Sequence, residues 1–358
     1  MDTSDPEIAF DEQGICNHCT EAMKFLATIG ARDGLGAQEL SLLADQAKSL
    51  GRGKPYDVII GLSGGIDSTY VAYLTVKRLG LRPLAVHFDN GWNSELAVSN
   101  IEQTVKALGI DLYTHVVDWN EFRDLQLSFF KSHTSNLEIP SDHGIRALLY
   151  QTASKHGIRH VLSGGNAATE FILPRTWQHP HSDLKFLRAI HRRFGTVPLR
   201  TLPMLSIPRM AYYTFAKRLR FHRILDSIDY NKAAAIDTIK RELGWRPYGV
   251  KHGESTFTRF FQSYIQPHKF GFDKRQAHLS TLIAAGQISR ESALSELQND
   301  VYTPSELQIE IAYITKKLGV SRKEFDDYIA TPPIPSNAYP NHLWLQARLR
   351  PLWAWATR

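Results

Sequence analysis

The sequence predicts an α/β protein built on a doubly wound parallel β-sheet. Three observations support this fold class: short apolar runs of strand length, helical patterns between them, and glycines that close those helices. Strands that alternate with single helices favour a parallel sheet, because each crossover between parallel strands needs a helix. Ligands of such sheets bind beyond the carboxyl ends of the strands. The loops that follow the predicted strands are therefore the first places to look for a site.

The alternation begins at residue 56. Residues 56–62 form an apolar run with β-branched side chains, as expected for a strand buried on both faces. Glycines end the helices that follow, in the position of a C-cap. The predicted strands are residues 56–62, 83–88, 111–117 and 160–163, and the predicted helices are residues 68–79, 98–108 and 144–156.

Three regions with different patterns predict three domains. Residues 1–55 form a small N-terminal segment that contains both cysteines, and residues 56–175 carry the strand–helix alternation. Residues 176–358 lose this rhythm and are predicted to form a mostly helical substrate or partner domain. Within it, residues 205–245 and 275–320 look helical, whereas the Pro- and Trp-rich tail from residue 331 is expected to be irregular.

Composition indicates a globular protein, and the positive net charge permits nucleic acid, nucleotides or an anionic membrane as partners without choosing among them. The chain has 358 residues, 43% of them hydrophobic, and a net charge of +6. No apolar run approaches the roughly 18 residues that a membrane-spanning helix needs. The acidic start lacks the basic and apolar regions of a secretory signal, so a cytoplasmic location is expected.

The loop after the first predicted strand carries the strongest chemical signal. It reads Ser63-Gly64-Gly65-Ile66-Asp67-Ser68 and leads directly into a helix. Adjacent glycines let the backbone approach a ligand closely, and a helix N-terminus presents free N–H groups to an anion. The serine hydroxyls can add donors, and Asp67 can hold Mg²⁺ against phosphate oxygens. The sequence therefore predicts a phosphate-binding loop, although a plain tight turn with a serine cap is the alternative.

This loop resembles that of the PP-loop ATP pyrophosphatase superfamily, of adenine-nucleotide α-hydrolase fold, and differs from the Walker loop, which needs Gly-Lys-Ser/Thr. The resemblance implies that ATP is split into AMP and pyrophosphate with Mg²⁺. It also places Asp89, after the second strand, near the ribose or metal, and Gly164 and Asn166, after the fourth, near the nucleotide. Glu170 would share Mg²⁺ with Asp67. A turn-capping role for Asp89 and a solvated position for Glu170 are the alternatives.

Over most of its length the chain resembles a narrower family, the N-acetyl sugar amidotransferases of bacterial surface-polysaccharide (lipopolysaccharide O-antigen) synthesis. The matching segments are FDEQGICNHC (10–19), SGGIDS (63–68), HFDNGW (87–92), ILPRTW (172–177), DYNK (229–232), GWR (244–246), KHGES with TRF (251–260) and KFGFDKR with HLS (269–280).

The narrower resemblance implies a ligase reaction on an acetamido group of a nucleotide- or carrier-linked sugar. ATP would adenylate the acetamido oxygen, and ammonia would then displace AMP to give an acetamidino group. Lys251, Arg259 and Lys274 are the candidate catalytic cations beside the α-phosphate, and each could instead be a surface base. His252 and Glu254 are candidates for orienting the substrate or moving a proton.

Ammonia is expected to come from solution or from a separate glutaminase. The sequence has no glutaminase signature, since neither cysteine stands at the N-terminus or between glycines. In the family that the chain resembles, ammonia comes from partners similar to the two subunits of imidazole glycerol phosphate synthase. The expected partners are therefore the acetamido sugar and a glutaminase with its ammonia-channel subunit.

Cys16 and Cys19 are the only cysteines, which excludes a disulfide framework. Their spacing is typical of half a metal knuckle or of a redox pair. Family members commonly carry a second Cys-x-x-Cys pair, which this chain lacks at its start. Zinc on Cys16 and Cys19 would therefore need His18 or distant ligands to complete a tetrahedral set.

Two other functions compete with the amidotransferase. A tRNA-thiolating enzyme of the same fold would suit the basic charge, but such enzymes often need cysteines or an iron–sulfur cluster beside the ATP site. The only cysteines here stand far from the loop in sequence, so nucleic acid is not an expected partner. A non-catalytic nucleotide-binding scaffold is the second alternative, against which the complete loop with Asp67 argues.

Overall fold

A five-stranded, entirely parallel β-sheet forms the centre of the computed structural model, which describes residues 1–30, 35–248 and 253–356. The strand order is β3-β2-β1-β4-β5, so β1 and β4 are neighbours at the point where the winding reverses. This arrangement confirms the predicted fold class. The strands are β1 (Val58–Gly61), β2 (Pro83–Asp89), β3 (Asp111–Val116), β4 (His160–Ser163) and β5 (Arg220–Arg223).

Strand β5 corrects the prediction that residues 205–245 are helical. It pairs in parallel with β4, from His160 opposite Arg220 to Ser163 opposite Arg223. Its sequence Arg-Phe-His-Arg is polar because it lies at the edge of the sheet and stays half exposed, so it lacks the apolar signature of a central strand. The sheet thus extends beyond the predicted boundary at residue 175, and the division into three domains stays a prediction.

Helices surround the sheet and make up the C-terminal region. They are α1 (Asn17–Gly30), α2 (Leu35–Leu50), α3 (Ile66–Tyr73), α4 (Glu95–Leu108), α5 (Trp119–Ser132), α6 (Ile139–Lys155), α7 (Ala167–Glu170), α8 (Leu184–Phe194), α9 (Ile207–Ala211), α10 (Lys232–Leu243), α11 (Thr256–Phe260), α12 (Lys274–Ala284), α13 (Arg290–Gln298), α14 (Pro304–Leu318), α15 (Arg322–Ala330) and α16 (Leu343–Ala356). In the described part of the chain, none of them combines the length and apolar character needed to cross a bilayer.

The tail contains helix α16, whereas the sequence predicted an irregular segment from residue 331. Proline and tryptophan in the tail suggested a loop, yet the run Leu-Trp-Leu-Gln-Ala-Arg-Leu-Arg that opens α16 consists mostly of strong helix formers. Pro351 lies inside this helix. The proline therefore did not mark the end of regular structure.

The two faces of the sheet form two separate cores, because side chains alternate along a strand. Val58 and Ile60 of β1 pack with α2, α3, α4 and α10 on one face, and Ile59 packs with α5, α6 and α8 on the other. Helix α2 belongs to the first of these cores, so part of the N-terminal segment covers the sheet. Helix α1 instead packs against α7 and α12.

Candidate active site

The phosphate-binding loop predicted from the sequence lies at the carboxyl end of β1. Its backbone folds around the two serine side chains. The Ser63 and Ser68 hydroxyl oxygens are 3.1 Å apart, the Gly65 amide donates to Ser63 Oγ at 3.3 Å, and Ser68 Oγ donates to the Gly65 carbonyl at 3.1 Å. Helix α3 begins at Ile66 and points its N-terminal amides into the loop. The arrangement matches what an anion requires.

Gly64 is the residue on which the shape of the loop depends. Its φ is +81°, and an added Cβ would lie only 2.7 Å from the Ala97 carbonyl oxygen of α4. Its own carbonyl accepts hydrogen bonds from Trp245 Nε1 at 2.8 Å and Tyr248 Oη at 2.6 Å. The loop is thus clamped from two sides, and only glycine fits this backbone conformation and this space.

The loop after β4 lies directly against the loop after β1. A Cβ on Gly164 would lie 3.0 Å from the Asp67 carbonyl carbon and 3.1 Å from the Ser68 nitrogen. Asn166 is buried and caps α7, since its Oδ1 accepts from the Thr169 amide at 2.9 Å. Gly164 thus allows the two loops to approach closely, and the described contacts of Asn166 hold its own loop. The predicted nucleotide-binding role of both residues stays a prediction.

Asp67 and Glu170 line one cavity of about 220 Å³, together with loop residues, Lys232, Tyr248 and Glu254. The Tyr230 hydroxyl donates a hydrogen bond to Asp67 Oδ1. Burial and the adjacent Asp67 carboxylate raise the pKa of Tyr230, so the phenol stays a donor at neutral pH. Mg²⁺ is usually held by one or two carboxylates and by substrate phosphates. These two carboxylates beside a phosphate-binding loop fit that requirement.

A second cavity, of about 390 Å³, extends from the same loop over the carboxyl ends of β1 and β2. Its apolar lining includes Val86, Phe88, Ile145 and Leu148, and its polar lining includes Asn90, Asn93 and Ser141. An apolar cavity with a few polar groups is the usual environment of a nucleoside.

Asp89 has a structural role in the turn beside this second cavity. Its Oδ1 accepts hydrogen bonds from the Gly91 amide at 2.8 Å and from Asn93 Nδ2 at 3.1 Å. Asn93, which does line the cavity, also lies 2.9 Å from His87 Nε2. Burial lowers the pKa of His87 and keeps it neutral. The geometry therefore supports the turn-capping alternative for Asp89.

A third cavity, of about 500 Å³, lies between α10, α12 and the segment after α13. It shares Lys232 and Tyr248 with the cavity of about 220 Å³ that contains Asp67. It shares Gln262 and Lys274 with the second cavity, of about 390 Å³, which we call the nucleoside-sized cavity. The three cavities thus meet around the loop. The largest of them leaves room for a second ligand beside one bound at the loop.

The predicted cations have different positions. Lys274, the first residue of α12, lines both the second and third cavities. Arg259 instead pairs with Glu310 at 3.0 Å, and its Nε donates to Tyr302 Oη at 3.1 Å. These contacts do not support the predicted role of Arg259 at the α-phosphate. Lys251 and His252 lie outside the described residues.

The three cavities together form the cleft. Several polar groups of this cleft were not assigned a role from the sequence. Tyr230 and Trp245 stand within quoted segments, DYNK and GWR, but nothing in those segments indicates their contacts with the loop. Glu138 and Asp142 line the second cavity from the start of α6. Their spacing of four residues places both carboxylates on one helix face, and this spacing in the sequence could have predicted that they lie together.

Burial and the neighbouring Glu138 raise the pKa of Asp142 from its usual 3.8 to about 7. Such a group stabilises the fold below its unfolded pKa and loses this contribution as the pH rises through 7. The full shift corresponds to roughly 4 kcal/mol, but the Asp142 side chain is partly exposed and solvent screens part of the effect. Asp142→Asn should therefore increase the free energy of unfolding by about 2 kcal/mol at pH 8, with the gain shrinking as the pH falls from 7 towards 4. Denaturant unfolding at pH 8 and pH 5 measures this difference.

Asp57 provides the control of opposite sign. Burial acts to raise its pKa, but the hydrogen bonds from Arg82 outweigh burial and keep it below the usual value. Asp57→Asn should therefore lower stability at pH 8. An Asp142→Asn variant that gains equally at both pH values, or loses stability at pH 8, would contradict the assignment.

The cysteine pair lies in the N-terminal segment. Cys16 Sγ and Cys19 Sγ are 3.2 Å apart, and His18 bonds to Asp5 at 2.6 Å. Burial and the Cys16 thiol raise the pKa of Cys19 to about 11, so it is not a reactive thiolate at neutral pH. Within residues 1–30, 35–248 and 253–356, no three His, Cys, Asp or Glu side chains are grouped to hold a metal ion. The zinc expectation is not supported.

Comparison with known proteins separates the chain into two family regions. Residues 43–173 match the NAD synthase family, and residues 254–350 match the family described as "LPS biosynthesis protein WbpG-like, C-terminal domain". Over 74 residues the chain is 36% identical to the glutamine-hydrolyzing GMP synthase of Pyrobaculum aerophilum, a match to 21% of this chain and 14% of that protein. Over 54 residues it is 39% identical to the NH3-dependent NAD(+) synthetase of Methanococcoides burtonii, a match that covers 15% of this chain and 20% of that protein.

Among solved structures, the chain resembles the NMN synthetase of Francisella tularensis with 18% identity and a TM-score of 0.36, covering 74% of this chain and 91% of that one. The chain spans no more than a fifth of the length of the two curated relatives named above. The two family matches confirm the resemblance to the PP-loop superfamily and to a surface-polysaccharide family. The chain thus combines a region similar to the PP-loop family of NAD synthase, at residues 43–173, with a region similar to the WbpG-like C-terminal family of lipopolysaccharide biosynthesis, at residues 254–350.

Proposed function

We propose that this chain is an ATP-dependent amidotransferase that converts an acetamido group of a nucleotide- or carrier-linked sugar into an acetamidino group. The observation that carries the proposal is the position of Lys274. It lies in the WbpG-like region, yet it lines both the nucleoside-sized cavity and the larger third cavity. The region related to lipopolysaccharide biosynthesis thus reaches the point where ATP and a second substrate would meet.

The reaction has two steps. The acetamido oxygen attacks the α-phosphorus of ATP, the bond to the bridging oxygen breaks, and pyrophosphate leaves. Ammonia then attacks the activated carbon, a C–N bond forms, and the C–O bond breaks as AMP departs with the former amide oxygen. An amide oxygen is a poor leaving group, and adenylation converts it into a good one. The net change on the sugar is the replacement of O by NH.

Different residues of the cleft would have different roles in this reaction. The loop amides with Ser63 and Ser68 bind phosphate oxygens, and Asp67 with Glu170 would hold Mg²⁺ in the cavity that they share. Bound Mg²⁺ would neutralise the negative charge that develops on the phosphates. Lys274 would add a positive charge beside the α-phosphate, and the same role is proposed for Lys251.

Ammonia would reach this enzyme from a separate glutaminase with subunits similar to those of imidazole glycerol phosphate synthase, in the cytoplasm. The two cysteines are not among the residues that line the three cavities, as far as the structure describes them, and this argues against the tRNA-thiolating alternative.

The product tests the proposal directly. The protein is incubated with ATP, Mg²⁺, ammonium chloride and a panel of nucleotide-linked acetamido sugars, and the sugars are analysed by mass spectrometry. We expect one sugar to lose oxygen and gain NH in an amount equal to the AMP formed. ATP-dependent sulfur incorporation into bulk tRNA, with no change in any sugar, would support the thiolating enzyme instead.

A further inference from the structure

A small polar chamber lies beside the cleft, next to the start of α6. Its volume is about 20 Å³. A water-sized molecule needs about 10–15 Å³ of such space, so the chamber has room for one small molecule. Its polar lining consists of Asn136, Glu138, Asp142, Gln178, Gln266 and Lys274.

Three of these residues form the boundary between the chamber and the cleft. Glu138, Asp142 and Lys274 line the chamber and the nucleoside-sized cavity, and Lys274 also lines the third cavity. A molecule in the chamber is thus separated by one layer of side chains from the place where the two substrates would meet. Gln178, by contrast, is exposed and lies on the solvent side.

Gln266 is the residue that points to a ligand in the chamber. Its side chain is only 6% exposed, and its Oε1 has no hydrogen-bond partner among the described residues. Leaving such an acceptor unpaired costs about 1–3 kcal/mol, and native proteins satisfy nearly all of them. Because Gln266 lines a chamber of this size, the missing partner is a small hydrogen-bond donor.

The neighbouring polar atoms limit which kind of hydrogen-bond donor fits the chamber. Asn136 is already engaged, since its Oδ1 accepts from the Glu138 amide at 3.0 Å and its Nδ2 donates to the His179 carbonyl at 3.4 Å. Gln262 Nε2 holds one oxygen of Glu138 at 2.9 Å. The other Glu138 oxygen, the Asp142 carboxylate and Gln266 Oε1 remain as acceptors. The Glu138 carboxylate, the Asp142 carboxyl group, which is about half ionised near pH 7, and an amide oxygen face the single charge of Lys274. This set of acceptors suits a small molecule that mainly donates hydrogen bonds.

We propose that this chamber receives the ammonium or ammonia that the cleft consumes and passes it between Glu138 and Asp142 to the activated substrate. The inference rests on the proposed amidotransferase function. The ammonium ion carries four N–H donors and no lone pair, which matches the acceptors present. The two carboxylates also offer an acceptor for the proton that ammonium must lose before its nitrogen can attack.

Gln266→Leu tests the chamber, because leucine is of similar size but removes the acceptor. With ammonium chloride as the nitrogen source, the KM for ammonium in acetamidino-sugar formation should rise about tenfold, equivalent to about 1.4 kcal/mol, while the KM for ATP changes less than twofold. Gln276→Leu is the matched control. Gln276 Oε1 also lacks a partner among the described residues, but it lies on α12 away from the chamber, so its loss should not change the KM for ammonium.

A second variant covers the case in which Gln266→Leu does not fold. Gln178→Trp changes an exposed residue, should cover the outer side of the chamber, and should raise the KM for ammonium by the same order. An unchanged KM for ammonium in the folded variants would overturn the proposal and leave the chamber as a water site. A wild-type protein without sugar-dependent ATP–pyrophosphate exchange would instead refute the proposed function itself, so the two failures are distinguishable.

Discussion

Asp67→Ala is expected to abolish AMP formation, lowering its rate by about a thousandfold or more, while the protein stays folded. Asp67 is the loop carboxylate that shares a cavity with Glu170. Mg²⁺ in that cavity would lower the free energy of the transition state by several kcal/mol, because it would neutralise the negative charge on the phosphates. Asp67→Asn should be nearly as inactive, because the amide keeps the shape but not the charge. AMP release in the presence of the sugar substrate measures both, and circular dichroism verifies the fold.

Two further variants calibrate this result. Tyr230→Phe removes the hydroxyl that donates to Asp67, so the apparent affinity for Mg²⁺ should fall about tenfold without abolishing the reaction. Asp89→Asn keeps an acceptor for the Gly91 amide, so its activity should change less than threefold if Asp89 serves the turn. Full activity of Asp67→Ala would eliminate the proposed metal site, and an inactive Asp89→Asn would restore the ligand role for Asp89.

Gly64→Ala should lower AMP formation about a hundredfold, because the new Cβ would lie 2.7 Å from the Ala97 carbonyl and would push the loop out of place. A displacement of about 1 Å near the reacting atoms can cost this much. The same substitution at Gly53 is the matched control. Gly53 has a similar φ of +73°, but an added Cβ there would meet nothing within 4 Å.

Both alanine variants carry the strain of a positive φ, about 1–2 kcal/mol, so both should lose some stability. Only Gly64→Ala should lose the reaction. Parallel measurement of denaturant unfolding and AMP release distinguishes the two effects. Equal activity in the two variants would show that the close approach at Gly64 does not shape the site.

Local sequence was sufficient to predict the centre of the fold and the loop. The central strands carry apolar runs, and the loop places its glycines, serines and Asp67 within six residues. The pairing of Asp67 with Glu170 instead came from the resemblance to the PP-loop superfamily, and the structure places both residues in the lining of one cavity. The strands and the loop needed only short-range patterns and the rules of sheet topology.

Contacts between distant parts of the chain could not be predicted in this way. Arg259 pairs with Glu310, and Tyr230 reaches Asp67, across 51 and 163 residues respectively. Strand β5 was missed because an edge strand with arginine at both ends has no apolar signature. In each case the role of the residue depends on which element packs against it, and the periodicity of a single segment does not contain that information.

Sugar-dependent exchange between ATP and labelled pyrophosphate tests the central claim most directly, because it measures adenylation before any ammonia is used. With Mg²⁺, a nucleotide-linked acetamido sugar and no ammonium, we predict that label from pyrophosphate enters ATP, and that the Asp67→Ala variant shows no such exchange. Absence of exchange with every acetamido sugar, or equal exchange in the wild-type protein and the Asp67→Ala variant, would contradict the account. Absence with every sugar would favour a non-catalytic nucleotide-binding protein.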